Sequence, residues 1–208
     1  MSAGQLAARA PLGTIRVADL AAIYAHPRQE ARALERRGVL HRLAHGFYCA
    51  VPPEHDPAVW KPSTEAAAAG IATALYGDRV PVLTGLSAAR VHRVLPRAIA
   101  VGFVAVPGSR RPLRFADRPG VVRFVERDVT RLDAELLSTD LGLALATTAE
   151  QTVLDLAHAD PTGADADTVA AIDALWARCE AEVLEQIAGT QRMRATLARV
   201  REQVGARR

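Results

Sequence analysis

The stretch from Thr14 to Val51, TIRVADLAAIYAHPRQEARALERRGVLHRLAHGFYCAV, decides the fold of the amino-terminal part of the chain. Leu20, Ile23 and Tyr24 share one side of a first helix over 17–24. Ala25-His26-Pro27 breaks it, and Pro27 suits the first position of the next helix, where its missing N–H costs nothing. That second helix runs to Arg37, and Gly38 stops it. Ala31 and Leu34 face inward, which leaves Arg28, Arg32 and Arg36, four apart, on one exposed stripe beside Gln29. Residues 39–43 and 47–51 read as strands joined by Ala44-His45-Gly46, whose glycine accepts a positive φ. Helix, turn, helix and hairpin in this order predict a winged helix-turn-helix, a module that sets a helix into a DNA groove.

Around that segment the chain has 208 residues, 50% hydrophobic and 24% charged, the composition of an ordinary globular protein. Aromatics are only 4%, which argues against a base-stacking surface for single strands. The start, MSAGQLAARAPLG, lacks a charged residue followed by an apolar core, and no apolar run reaches the ~20 residues that span a bilayer. A cytoplasmic protein with no membrane partner is expected. Cys49 and Cys179 form no C-x-x-C, so neither a zinc site nor a disulfide framework is expected.

The chain holds 25 Arg and one Lys, Lys61, so arginine is its default cation and the distribution of charge says more than its type. Residues 1–51 are net +4, 52–78 net −3, 79–131 net +8, 132–185 net −11 and 186–208 net +5. Segregation on this scale implies basic faces for a polyanion and an acidic face held away from it. Taken alone, the Arg28/Arg32/Arg36 stripe fits a solvated helix in an arginine-rich chain equally well. The hairpin and the local net +4 favour DNA: Arg28, Gln29, Arg32 and Arg36 would face the major groove, and Arg42 and His45 the neighbouring backbone or minor groove. Arg90, Arg93 and Arg97 form a possible second basic ridge, and Arg110, Arg111, Arg114 and Arg118 a basic loop. Either extends the DNA footprint, docks an acidic protein or is plain solvated surface.

Pro52, Pro53 and Pro57 interrupt the chain and set a boundary between a DNA-binding domain, 1–51, and a helix-rich α+β domain, 59–208. In the second domain, Thr64 caps a helix over 65–76, and a strand follows over 80–83. Ser87 opens a helix through Leu95, and 98–106 and 121–125 are strands. Thr147-x-x-Glu150 is a capping box for a helix through His158. A long amphipathic helix runs from Asp167 to Ile187, and Gly189 separates it from a last helix carrying Met193, Leu197, Val200 and Val204. The fold class is α+β. No nucleotide-binding, zinc-protease or kinase motif occurs, so no cofactor and no metal is expected, and Ser87 and Ser109 have no base partner in sequence. His158 beside Asp155 and Asp160 reads as surface at a helix end.

Three segments, RRGVLHRLAHGFY (36–48), LTGLSAARVHRVLP (83–96) and ATTAEQTVLDLAH (146–158), separated in part by the proline-rich joint, resemble the AbiEi-type antitoxins of type IV toxin–antitoxin systems. The resemblance covers most of the chain. It implies an amino-terminal winged helix that binds double-stranded promoter DNA and represses its own operon, with Arg28, Gln29, Arg32, Arg36, Arg37, Arg42 and His45 falling where the family's DNA-contacting helix and wing lie. It also implies a carboxyl-terminal domain that counteracts a nucleotidyltransferase-like toxin. Masking the toxin, repression alone, and covalent modification of the toxin by an atypical serine kinase all fit that role. Without the resemblance, a generic repressor with a ligand-sensing second domain fits as well. The turn Tyr24-Ala25-His26-Pro27 stands where the family more often has glycine.

Overall fold

A computed structural model describes residues 2–207. Helix α1, Ala3–Arg9, opens with a reciprocal cap: Gln5 N–H donates to Ser2 Oγ at 3.3 Å and Ser2 N–H to Gln5 Oε1 at 2.9 Å. Strand β1, Thr14–Arg16, follows, then a 3₁₀ turn over Val17–Ala22, helix α2, Pro27–Arg36, and strands β2, Leu40–Ala44, and β3, Phe47–Ala50. The three strands form an antiparallel sheet in the order β1-β3-β2.

Two features differ from the sequence expectation. The first helix, expected as an α-helix over 17–24, is a 3₁₀ helix. The Asp19 carboxylate accepts the Arg16 N–H at 2.9 Å and tightens the turn, while Tyr24 is drawn toward α1, its hydroxyl accepting the Ala3 N–H at 3.1 Å. Leu20 is buried as expected, but Ile23 is 38% exposed. The other feature is β1, three residues that pair only with the distant β3. Helix α2 matches its expected core face, with Ala31 and Leu34 buried, and Gly38 leaves it at φ 72° against the Pro57 ring.

Beyond the proline-rich loop come α3 (Thr64–Tyr76), β4 (Val82–Leu83), α4 (Gly85–Val91), β5 (Val101–Val106), β6 (Leu113–Arg114), β7 (Val121–Glu126), β8 (Ala134–Thr139) and β9 (Gly142–Thr147). Helices α5 (Ala149–Ala159), α6 (Ala166–Trp176), α7 (Ala181–Thr190) and α8 (Arg194–Arg207) complete the chain. The second sheet has the order β6-β7-β5-β4-β9-β8 and is mixed, with β5 parallel to β7 and β4 parallel to β9. The fold is α+β.

Several expected boundaries shift for local reasons. Ser63, not Thr64, caps α3. Thr148, not Thr147, caps α5, because the Thr147 hydroxyl is buried 2.7 Å from that of Thr152. Helix α4 stops at Val91, well before Leu95, and Arg93 sits beyond it at φ 62°. The long helix over 167–187 is two helices, with Glu150 accepting the Glu180 N–H at 2.8 Å where α7 begins. Gly189 lies inside α7, and the turn to α8 falls at Gln191–Met193, with Arg192 at φ 59°.

Helix α3 is the centre of the packing. Every residue from Thr64 to Thr73 is buried, because the helix lies between the small sheet and the large one. Alanine and glycine let both sheets approach: a Cβ on Gly102 of β5 would meet the Ala68 side chain at 2.5 Å. One hydrophobic cluster joins Leu43, Phe47 and Cys49 of the hairpin to Ile71 of α3 and to Val104, Val122 and Phe124 of the large sheet. A second lies among α4–α8 around Leu154, Leu175 and Leu197, and a third holds Ile15, Leu20, Leu34, Leu40 and Tyr48. Packing therefore runs continuously from the hairpin into the large sheet, across the proline-rich loop that the sequence marks as a boundary.

Candidate nucleic-acid interface

Backbone pairing fixes the segment directly after β6 against the hairpin. Ala44 pairs antiparallel with Phe115, and the Ala116 N–H donates to the Leu43 carbonyl at 2.9 Å. Beside it, His41 Nε2 lies 2.8 Å from Asp117 Oδ2, and Arg118 donates to the same carboxylate while its guanidinium lies 5.7 Å from the centre of the Phe115 ring. Burial opposes the charge of Asp117. The hydrogen bonds from His41 and Arg118 outweigh it and hold the carboxyl well below the usual carboxylate range.

The loop between β5 and β6 is thereby brought to the amino end of α2 and the tip of the hairpin. These three parts frame a groove of about 750 Å³ lined by seven cationic or potentially cationic residues: Arg16, His26, Arg28, Arg32, Arg42, His45 and Arg110. No carboxylate lines it among the described residues. Arg28, Gln29 and Arg32 are exposed, as a helix that reads DNA requires. Arg42 is half-buried on β2, and its Nε has no partner among the described residues. His45 stands at the hairpin tip, where Gly46 takes φ 81°. Arg16 is compensated: its Nη2 lies 2.7 Å from Asp19 Oδ1, which raises the guanidinium's pKa. Burial opposes the Asp19 charge, but the Arg16 hydrogen bonds prevail and lower that carboxyl. The Tyr48 phenol, at the groove floor, is pushed up by burial and then by Glu35.

Of the seven residues expected to meet DNA, the groove gathers Arg28, Gln29, Arg32, Arg42 and His45. Arg36 and Arg37 are exposed at the other end of α2 and do not line it. The expected ridge of Arg90, Arg93 and Arg97 does not form. Arg90 donates from Nε to the buried Glu65 at 3.1 Å and from Nη1 to the carbonyls of Leu95 and Pro96, so it fastens the α4 loop. Arg97 pairs with Asp167 across the chain, and Arg93 alone of the three is exposed without a partner among the described residues. In the basic loop, Arg118 is tied to Asp117, Arg111 and Arg114 are exposed, and Arg110 joins the groove. Sequence reasoning missed Arg16, which the unexpected β1 carries, and His26, which it read only as part of a turn, and left Arg110 without a location.

The three segments quoted above meet less directly. Thr84, in the second, donates to Asp155, in the third, at 2.8 Å, and His92 Nε2 lies 2.8 Å from the Thr147 carbonyl oxygen. No helix among the described residues is long and apolar enough to cross a membrane.

No protein-family model matches the chain, and no curated protein does. A solved structure, that of the RV2827C protein from Mycobacterium tuberculosis, is similar to it with a TM-score of 0.52. The similarity covers 97% of this chain and 78% of that one at 22% identity, and at that identity it speaks for the α+β fold alone.

Proposed function

We propose that the chain is a DNA-binding antitoxin of the AbiEi type, in which a winged helix-turn-helix binds the duplex of its own promoter. The observation that carries the DNA half is the basic groove between the amino end of α2 and the hairpin, which no carboxylate lines among the described residues. The order α1-β1-turn-α2-β2-β3, with sheet order β1-β3-β2, supports the winged-helix assignment. Pro27 starts α2 so that Arg28, Gln29 and Arg32 occupy its first turns, the part of a recognition helix that enters the major groove. Arg42 and His45 on the hairpin then meet flanking phosphates.

The antitoxin half rests on the sequence resemblance. The hydrogen bonds from Thr84 to Asp155 and between His92 and Thr147 support it, because they join two of the resembling segments into one structural unit. The partner of that unit is a nucleotidyltransferase-like toxin.

Fluorescence anisotropy with the duplex upstream of the gene, against a shuffled duplex of equal length, tests the DNA half. Affinity for the native duplex should be at least about a hundredfold higher. Equal affinity removes the operator assignment. Co-expression with a neighbouring nucleotidyltransferase-like gene tests the other half: growth should be rescued, and unrelieved arrest removes the antitoxin assignment while leaving DNA binding intact.

A further inference from the structure

At the carboxyl end of β7, which runs parallel to β5, the chain leaves the sheet through Arg127 and Asp128 and passes Arg131 before β8. The turn between α7 and α8 closes over this exit. Between them lies a cavity of about 450 Å³ lined by Arg127, Arg131, Arg192, Thr190, Gln191 and Asp128 among others. We propose that this cavity is a binding site for a phosphoryl-type oxyanion: a free phosphate or pyrophosphate, or the terminal phosphates of a nucleotide.

Three observations carry the assignment. Arg127 is held rigidly, with Nη1 donating to Asp155 Oδ1 at 3.1 Å and Nη2 to Gln191 Oε1 at 3.2 Å. Asp155 is in turn satisfied by Thr84 Oγ1 at 2.8 Å and by the fully buried Gln151 through Nε2 at 2.9 Å. Gln191 Nε2 also donates to the Arg131 carbonyl at 3.0 Å, and Arg131 Nη2 donates to the Thr190 carbonyl at 2.7 Å. The network is buried at Thr84, Gln151 and Asp155 and opens to solvent at Gln191 and Arg131, and what it achieves is a guanidinium fork fixed at a cavity wall with N–H donors to spare.

The second observation is the charge balance. Asp155 compensates Arg127, and the only lining carboxylate among the described residues, Asp128, is turned onto its own loop, accepting from Thr130 N–H at 3.2 Å and Oγ1 at 2.6 Å. Arg131 and Arg192, both exposed, therefore line the cavity without an ion pair among the described residues, although Asp128 feels the charge of Arg131. The third is strain. Arg192 stands at φ 59°, a conformation that suits glycine, and its side chain lines the cavity. Arginine forks match phosphoryl oxygens in charge and spacing. The cavity shares no lining residue with the DNA groove, so the two assignments stand or fall separately.

Calorimetric titration of the full chain at constant ionic strength, with inorganic phosphate, pyrophosphate and ATP in turn, tests the site. Saturable one-to-one binding of at least one is expected, and the tightest of the three identifies the source. Arg192→Gly should weaken it by about tenfold or more. The same variant should keep or raise the thermal midpoint, because glycine takes the positive φ freely. Arg131→Ala should weaken binding to a similar degree, and Arg32→Ala should leave it unchanged. The site is overturned by no saturable binding up to millimolar titrant. Binding that survives both cavity variants, or that only Arg32→Ala abolishes, overturns it equally.

Discussion

Replacing Arg32 and Arg110 together with alanine removes one cation from each side of the groove, Arg32 from α2 and Arg110 from the β5–β6 loop. Of the groove's guanidiniums, Arg16 is already compensated by Asp19, which leaves Arg28, Arg32, Arg42 and Arg110 to neutralise phosphates. Each neutralised phosphate contributes about 0.9 to the slope of log affinity against log salt, so four give a slope near −3.6. Between 50 and 200 mM salt the wild-type affinity should then fall by about 150-fold, against about 12-fold for the double variant. The assay is anisotropy of a labelled duplex across a potassium chloride series, with Arg37→Ala as a control outside the groove. An unchanged slope in the double variant, or an equal loss in Arg37→Ala, refutes the assignment of DNA to this groove. Arg110→Ala alone separates the two walls: its slope should fall by about 0.9, and no change means that the β5–β6 loop stays off the duplex.

Asp117 should make the fold sensitive to acid. Its folded pKa lies below the ordinary 3.8, so the carboxylate contributes stability above 3.8 and loses it as pH falls toward the folded value. In urea melts, wild-type stability should decline below that pH, and Asp117→Asn should flatten the decline and cost about 1–3 kcal/mol at pH 7. Gly70→Ala should destabilise by about 1–3 kcal/mol in the same melts despite alanine's higher helix propensity, because the new Cβ meets the Thr14 hydroxyl of β1. Adding Thr14→Ala should restore most of that loss, and a neutral Gly70→Ala would refute the close approach. Burial first, with Asp117 adding for Cys49 and Glu150 for Cys179, pushes both thiols up to about 12. A disulfide reagent at pH 8 should therefore label the native protein slowly and the unfolded protein at once; rapid native labelling of Cys49 would contradict its burial.

The parts of the fold legible in the sequence were those dictated by near neighbours. Pro27, the buried pair Ala31 and Leu34, Gly38 and Gly46 each act within a few residues, and α2 and the hairpin follow from them. What stayed hidden depends on distant partners. Strand β1 is three residues long and is a strand only because β3 lies beside it. The β8–β9 hairpin sits at the sheet edge with Leu136 and Leu143 exposed, which blurs the alternation that marks a strand. The break between α6 and α7 keeps Trp176, Cys179 and Val183 in helical phase, so the apolar pattern runs through it unmarked. The same holds for the arginines. Arg90 and Arg97 look like a free ridge until Glu65 and Asp167 arrive from 25 and 70 residues away.

Arg110 shows most plainly why the candidate site exceeds its sequence signature. Nothing near it in the chain distinguishes it from Arg111. Its place in the groove follows from the pairing of Ala44 with Phe115 and of Leu43 with Ala116, which ties the far end of its loop to the hairpin that carries Arg42 and His45. That pairing is held by the cluster in which Leu43, Phe47 and Phe115 pack with α3 and the large sheet. Shifting the hairpin relative to the large sheet would expose that apolar surface, at about 25 cal/mol for each Å² uncovered. The groove is therefore set by the core beneath it. Its seven basic residues come from β1, α2 and β2 and from three connecting segments, and α3 is the piece against which both sheets are fitted.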